Sequence, residues 1–212
     1  ICLIASAGMN STFSRYQRVR SMSGMTGAMA AERILRDAGI HDVQVQHIQG
    51  NLTDHYNPMN KTLSLSDSVY NSTSVAAVGV AAHECGHAIQ HAIGYAPLEF
   101  RSAIVPVANF GSTLSWPLFL IGLFSGIRPL VTAGIVLFSL AVLFQLVTLP
   151  VEINASSRAL KMLESTGILG TDEKKGARKV LTAAALTYVA ALAASILQLL
   201  RLIILAGGRD RD

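Results

Sequence analysis

Charged residues are scarce in this chain of 212 residues. They make up 14% of it, whereas about 25% is usual for a soluble protein, and hydrophobic residues make up 51%. The chain has only two cysteines, Cys2 and Cys85, which excludes a framework of several disulfides. Its net charge is +4, but the basic residues lie beside apolar runs rather than along one stripe. This arrangement favours a membrane protein and argues against a nucleic-acid partner.

Three stretches contain no charged residue at all, namely residues 102–127, 129–151 and 180–200. A helix needs about 20 residues to cross the hydrocarbon core of a bilayer, so each stretch is long enough. We therefore predict a hairpin of two spans at 102–150, a C-terminal span at 180–206 and a tail at 207–212. The lipid bilayer is an expected partner.

The first eight residues are also apolar, and we expect residues 1–8 to be the remnant of a fourth span or a processed anchor. No charged region precedes them, which disfavours a cleaved signal peptide. Lysine and arginine next to spans tend to stay in the cytoplasm, and they are concentrated in 9–36 and 158–179. Only Arg128 and the tail residues Arg209 and Arg211 fall on the other side. We expect the polar parts, 9–101 and 151–179, to face the cytoplasm and the C-terminus to lie outside.

The most informative stretch is V-A-A-H-E-C-G-H-A-I-Q-H, residues 80–91, which contains H-E-x-x-H. Residues four apart share a helix face, so His83 and His87 can bind one metal ion while Glu84 lies beside its open side. Two imidazoles suit Zn²⁺, and catalytic zinc keeps a water whose pKa it lowers, for which Glu84 is the expected base. The alternative, two ordinary helix histidines, is disfavoured because residues 75–82 are small and apolar, as in a buried helix, where the polar trio would lack partners.

A catalytic zinc usually has a third protein ligand, which the motif does not supply. His91 continues the spacing, but it lies eight residues from His83, or about 12 Å along a helix. The longer form H-E-x-x-H-x-x-G-x-x-H is absent, because Gln90 and Ile93 stand where its glycine and histidine would be. The third ligand must therefore come from another segment.

Glu152 is the best candidate for the third ligand. It follows Pro150 at the end of an uncharged run, where an unpaired carboxylate would be costly and a metal would be a good partner. Two predicted spans separate it from His87, so the chain returns to the same side of the membrane. Ser156, one turn further on, is a candidate to orient a ligand. The alternative is that Glu152 caps a new helix that begins after Pro150.

Hydropathy patterns predict the rest of the polar module. Thr26 is placed to cap a helix and Gly39 to end it. Residues 43–48 and 62–66 alternate apolar and polar side chains, which predicts two paired strands, and we expect the second to pair with the substrate main chain. The motif helix is expected over 74–91.

Residues 50–58 are predicted to form a turn-rich loop between the two strands. The alternatives for it are a plain polar hairpin loop, or a loop over the metal in which His55 or Tyr56 hydrogen-bonds the oxyanion of a tetrahedral intermediate.

Several motifs carry a resemblance to a known family, among them G-N-L-T-D-H-Y-N-P, A-A-H-E-C-G-H-A-I-Q and L-F-Q-L-V-T-L-P-V-E-I-N-A-S-S-R-A. Through them the chain resembles the YugP-type membrane zinc metallopeptidases, which are bacterial neutral zinc peptidases. More distantly it is similar to the HtpX and CAAX-prenyl endopeptidase group, whose E-x-x-A-D motif supplies a glutamate ligand. Glu152 and Ala155 match that motif, and Ser156 stands in place of its aspartate. The resemblance implies a membrane-embedded, gluzincin-like endopeptidase.

The expected fold is a mostly α integral membrane protein with three to four transmembrane helices and a zincin-like module with a small β-sheet. The expected function is zinc-dependent hydrolysis of peptide bonds in peptides or membrane proteins, in a setting of membrane-protein quality control. The alternative is a non-catalytic membrane scaffold or regulator stabilised by zinc. A transporter is disfavoured because no carboxylate or histidine lies inside a predicted span. The sequence assigns no oligomeric state and no scaffold partner.

Overall fold

A computed structural model describes residues 1–207. Its elements confirm the expected fold class, since long helices dominate and the strands are short. In chain order they are α1 (Cys2–Gln17), α2 (Gly27–Asp37), β1 (Gln44–His47), β2 (His55–Asn57), β3 (Thr62–Leu65), α3 (Val75–Ala92), α4 (Ala96–Ser125), α5 (Arg128–Ser165) and α6 (Thr171–Gly207). The tail residues Arg209 and Arg211, which entered the prediction of topology, lie outside the described residues.

The chain divides into two compact units. One comprises residues 1–2, 96–150 and the described residues from 188 onward, and the other comprises residues 3–95 and 151–187. Every residue predicted to bind metal or act in catalysis lies in the second unit, which we call the polar module.

Helices α4, α5 and α6 are long and apolar enough to cross a membrane, which agrees with the three predicted spans. They leave large apolar side chains exposed: Phe110 is 65% exposed, Phe124 82% and Ile204 71%. Such exposure is unfavourable in water and suits contact with lipid. Of the expected remnant of a fourth span, residues 2–8 belong to the 16-residue helix α1. Within residues 1–207 only α4, α5 and α6 are long and apolar enough to be candidate spans.

In the polar module, α2 begins and ends where its sequence predicts. The Thr26 hydroxyl accepts a hydrogen bond from the Met29 amide at 3.2 Å, and Gly39 adopts φ +73° just after the helix. Small side chains on α2, including Ala30 and Ala31, are fully buried in the same apolar core as the first half of α3. This packing holds the motif helix in the interior of the module.

The sheet contains three strands in the order β1-β3-β2, with β1 parallel and β2 antiparallel to β3. The two predicted strands are confirmed and pair with each other. The prediction that residues 50–58 form only a loop is wrong, because His55–Asn57 pair with β3, where Tyr56 lies opposite Leu63. The prediction that the strand at 62–66 pairs with substrate is also wrong, since β1 and β2 occupy both of its edges.

Candidate metal centre

The motif helix α3 starts at a well-formed cap and is buried along its first half. The hydroxyl of Ser74 accepts a hydrogen bond from the Ala77 amide at 3.1 Å, and residues 75–82 are all buried. The helix carries His83 and His87 on one face, with ring centroids 4.8 Å apart. The four-residue spacing therefore brings the two imidazoles together as predicted.

Helix α5 brings Glu152 to the same point. It runs through Pro150 without interruption, so Glu152 lies inside a helix and the alternative of a cap on a new helix is excluded. Glu152 is only 3% exposed, and its Oε2 lies 3.2 Å from His83 Nε2 and 3.5 Å from His87 Nε2. Glu152 Oε2 is thus close to the Nε2 atom of each histidine.

The two helices approach each other closely because α3 has a glycine between its two histidines. A Cβ atom built on Gly86 would lie 2.5 Å from the carbonyl oxygen of Ala155, a distance that no side chain tolerates. Ala155 is itself fully buried and is the alanine of the E-x-x-A motif. Small residues on both helices are therefore what allows Glu152 to reach the histidines.

These three side chains fit a zinc ion. Zinc binds imidazole nitrogen and carboxylate oxygen at about 2.0–2.2 Å, and two ligand atoms at that distance in a tetrahedral shell lie about 3.3 Å apart. The observed separations of 3.2 and 3.5 Å bracket this value. Among the residues that the structure describes, His83, His87 and Glu152 form the one group of three or more such side chains with ligand atoms close enough to share a metal.

Hydrogen bonds orient both imidazoles for this role. Gln90 is fully buried, and its Nε2 donates to the carbonyl of Val151 at 2.9 Å, which turns its Oε1 towards His87 Nδ1 at 3.0 Å. Because Oε1 can only accept, Nδ1 of His87 must carry the proton and Nε2 is left with the lone pair that a metal needs. Ser156 Oγ lies 3.1 Å from His83 Nδ1, in the position predicted for a residue that orients a ligand. A hydroxyl can donate or accept, so this hydrogen bond orients the ring of His83 without fixing its tautomer.

Sequence reasoning missed Gln90, which it treated only as a residue that interrupts a longer motif. The sequence did contain a signal for a contact between Gln90 and His87, because residues three apart share a helix face. The amide of Gln90 also donates to Asn154 Oδ1 at 3.0 Å, and Asn154 accepts a further hydrogen bond from Arg158 at 2.7 Å. The hydrogen bond between Gln90 and Asn154 thus links α3 to α5 beside the candidate ligands.

The electrostatics of the site favour a cation. Burial disfavours a charge on His87, but the carboxylates of Glu152 and Glu84 raise its pKa above the usual value. Burial likewise acts to raise the pKa of Glu152, yet hydrogen bonds to His83 and His87 hold it well below the usual range. Glu152 therefore remains ionised, as a metal ligand must.

Other residues near the motif have different partners. Cys85 is fully buried, burial raises the pKa of its thiol well above the usual value, and its Sγ points to the carbonyl of Ala31. We therefore interpret Cys85 as a core side chain.

The two candidates for the oxyanion role have other partners in this structure. Tyr56 hydrogen-bonds His91 Nδ1 through its hydroxyl at 2.9 Å, and the exposed His55 contacts the carbonyl of Thr53 through Nδ1 at 3.0 Å. The oxyanion role expected for His55 or Tyr56 stays a prediction.

Residues 1–207 match the model of a protein family described as "putative neutral zinc metallopeptidase". The chain belongs to this family. It is 48% identical over 205 residues to the "putative membrane protease YugP" of Bacillus subtilis (strain 168), an alignment that covers 96% of this chain and 91% of the relative. No solved structure matches it significantly. The family assignment confirms the resemblance seen in the sequence motifs.

Proposed function

We propose that this protein is a zinc-dependent endopeptidase of the membrane, which hydrolyses peptide bonds with Glu84 as general base. The observation that carries the proposal is the convergence of His83, His87 and Glu152, whose candidate ligand atoms all lie within 4.8 Å of one another in a site beside the buried Glu84. Membership of the family, and the relative named "putative membrane protease", support the same reaction class.

When bound, zinc supplies a Lewis acid that makes water acidic enough to act as a nucleophile near neutral pH. The protein must then accept a proton and return it to the leaving amine. Glu84 is suited to this task because it is 8% exposed and its charge acts on His87, which places it next to the ligands. Within residues 1–207 its carboxylate has no hydrogen-bond partner, so it is available for proton transfer.

The number of ligands favours catalysis over the alternative of a zinc-stabilised scaffold. Structural zinc is closed by four protein ligands, whereas catalytic zinc has three and keeps one open position. Within the described residues the group comprises three side chains, two from α3 and one from α5. This count supports an open coordination position that a substrate can use.

The substrates we propose are peptides or membrane proteins with an extended segment, in keeping with a role in membrane-protein quality control. An extended chain can add to the exposed edge of a sheet through main-chain hydrogen bonds. Of the two outer strands, β2 is the one that hydrogen-bonds α3, through Tyr56 and His91. We therefore propose that substrate docks at the free edge of β2.

Glu84→Gln tests the mechanism. The variant keeps all three proposed ligands but lacks the base, so we expect zinc content to stay near one ion per chain and peptide cleavage to fall by several orders of magnitude. Both quantities are measured on the same detergent-purified preparation. Cleavage at the wild-type rate would exclude Glu84 as the base, and equal loss of zinc would show that the variant damages the site instead.

We further propose that the metal site faces the cytoplasm, because the basic residues of the polar module outnumber those at the opposite ends of the spans. The test introduces one exposed cysteine at Lys175, whose side chain is 69% exposed, or at Ile127 between α4 and α5. The background is Cys2→Ser, in which the remaining Cys85 is buried. An impermeant thiol reagent applied to intact cells is expected to label position 127 and not position 175. The reverse pattern would move the site and its substrates to the cell exterior.

A further inference from the structure

A cavity of about 570 Å³ lies between α5 and α6 in the polar module, apart from the three metal ligands. Its size is within the range of small-molecule sites, about 300–1,000 Å³. Ser156, which holds His83, is part of its wall. None of the roles proposed above uses this space.

One end of the cavity is strongly basic. Its lining contains three cations, Lys161, Lys174 and Arg178, and a single anion, Glu164. Lys174 is paired with Glu164 at 2.7 Å, so that this anion is already neutralised. Neither Lys161 nor Arg178 forms an ion pair within residues 1–207, although the charge of Arg178 helps to lower the pKa of Glu164. With three cations and one anion in its lining, the cavity has an excess of two positive charges.

The other end is apolar, and the order along both helices is consistent. On α6 the basic lining residues Lys174 and Arg178 precede Leu181 and Ala185, which lie in the uncharged run that starts at residue 180. On α5 the order along the chain is reversed. The apolar Ile153, next to the uncharged run at 129–151, comes first, and the charged lining residues follow it. Both walls are thus apolar towards the membrane span and basic away from it.

We propose that this cavity binds one anionic phospholipid, with its phosphate between Lys161 and Arg178 and an acyl chain along Leu181 and Ala185. Basic pockets between helices at the membrane boundary have the charge that anionic headgroups require, and the apolar wall gives the chain a place that a free anion would not use. A zwitterionic lipid fits less well because its headgroup leaves the two positive charges uncompensated. The bound lipid would lie against Ser156 and thus next to a metal ligand.

Native mass spectrometry of the full chain in non-ionic detergent tests this inference without any measurement of peptidase activity. Phosphatidylglycerol is titrated against phosphatidylcholine of the same chain length, and bound lipid is counted per chain. We expect wild-type protein to retain one phosphatidylglycerol, and the double variant Lys161→Gln/Arg178→Gln to bind it about tenfold or more weakly, in line with the contribution of each basic residue to anionic-lipid binding. Both side chains are exposed, so the fold should tolerate the change.

The matched control is Lys175→Gln/Lys179→Gln, which removes the same charge from the same region but from residues outside the cavity wall. It should bind phosphatidylglycerol as the wild type does. Equal weakening by both double variants would overturn the proposal in favour of general attraction to a basic surface, and equal retention of the two lipids would overturn it as well.

Two further experiments distinguish a bound lipid from a bound free anion. Ala185→Trp fills the apolar end and should reduce phosphatidylglycerol binding while leaving both basic residues in place. Inorganic phosphate at millimolar concentration should not displace the lipid from the wild type. Displacement by phosphate, or full lipid binding by Ala185→Trp, would show that the cavity holds only an anion.

Discussion

Helix α3 carries three histidines at equal intervals, and the structure treats them differently. His83 and His87 converge on the buried carboxylate of Glu152, whereas His91, one turn further along, hydrogen-bonds the hydroxyl of Tyr56 in β2. All three lie on the same face by spacing alone. What distinguishes them is the element that packs opposite each of them.

The difference indicates that the proposed metal site depends on the element that packs against H-E-x-x-H and not on the spacing of the histidines alone. Near His83 and His87 the neighbour is α5, which comes close because Gly86 leaves room for the backbone at Ala155. Near His91 the neighbour is a strand, which offers a phenol instead of a carboxylate. A phenol hydroxyl is a poor ligand for zinc, so the third histidine is left as a hydrogen-bond partner.

The strongest test of this contrast replaces the ligands and the third histidine in parallel. Glu152→Ala and His87→Ala should each lower zinc affinity by more than about 100-fold and abolish cleavage, because a lost ligand affects binding and chemistry together. His91→Ala should retain one zinc per chain. Zinc is measured by elemental analysis after dialysis against a zinc buffer. A Glu152→Ala protein that still holds stoichiometric zinc would remove Glu152 from the site, and loss of zinc from His91→Ala would end the distinction.

The next effect in size concerns Gln90, which hydrogen-bonds His87, one of the two histidines of the proposed metal site. Gln90→Leu removes the acceptor for His87 Nδ1, and such losses reduce metal affinity by about 10–100-fold. Both variants lose the donor to the Val151 carbonyl, but Gln90→Glu keeps an acceptor for His87. It should therefore bind zinc better than Gln90→Leu while its free energy of unfolding falls by about 1–3 kcal/mol, the cost of a buried polar group without a partner. Zinc titration and thermal melts separate the two effects, and equal zinc affinity in the two variants would show that Gln90 does not orient His87.

Features that depend on neighbours along the chain could be predicted from the sequence. The cap at Thr26, the apolar spans and the pairing of His83 with His87 follow from local composition and helical spacing. Glu152 was also predicted, although it is distant in sequence, because an acidic residue at the end of a long uncharged run needs a partner. Its continuation within an unbroken helix through Pro150 was not predicted, since proline usually marks a helix start or a kink.

Features that depend on contacts between distant segments could not be predicted in the same way. The segment His55–Asn57 is short, polar and rich in turn-forming neighbours, and it becomes a strand only because β3 offers an edge. The central position of β3 leaves it no free edge at which substrate could dock. This position could be recognised only once β2 was known to be a strand. The close contact at Gly86 likewise became clear only once α5 was placed against it.

The smallest expected effect separates two roles for Tyr56. Its hydroxyl is engaged by His91 at 2.9 Å, so we expect Tyr56→Phe to change kcat/KM by no more than about threefold, whereas loss of an oxyanion donor costs about 10²–10³ in kcat. Tyr70→Phe is a matched control, because Tyr70 also contacts a histidine, His47, with ring centroids 5.3 Å apart. Steady-state cleavage of one peptide by both variants gives the comparison. If Tyr56→Phe alone lost 100-fold or more in kcat with KM unchanged, the hydroxyl of Tyr56 would leave His91 to contact the substrate during the reaction, and the predicted oxyanion role of Tyr56 would be supported.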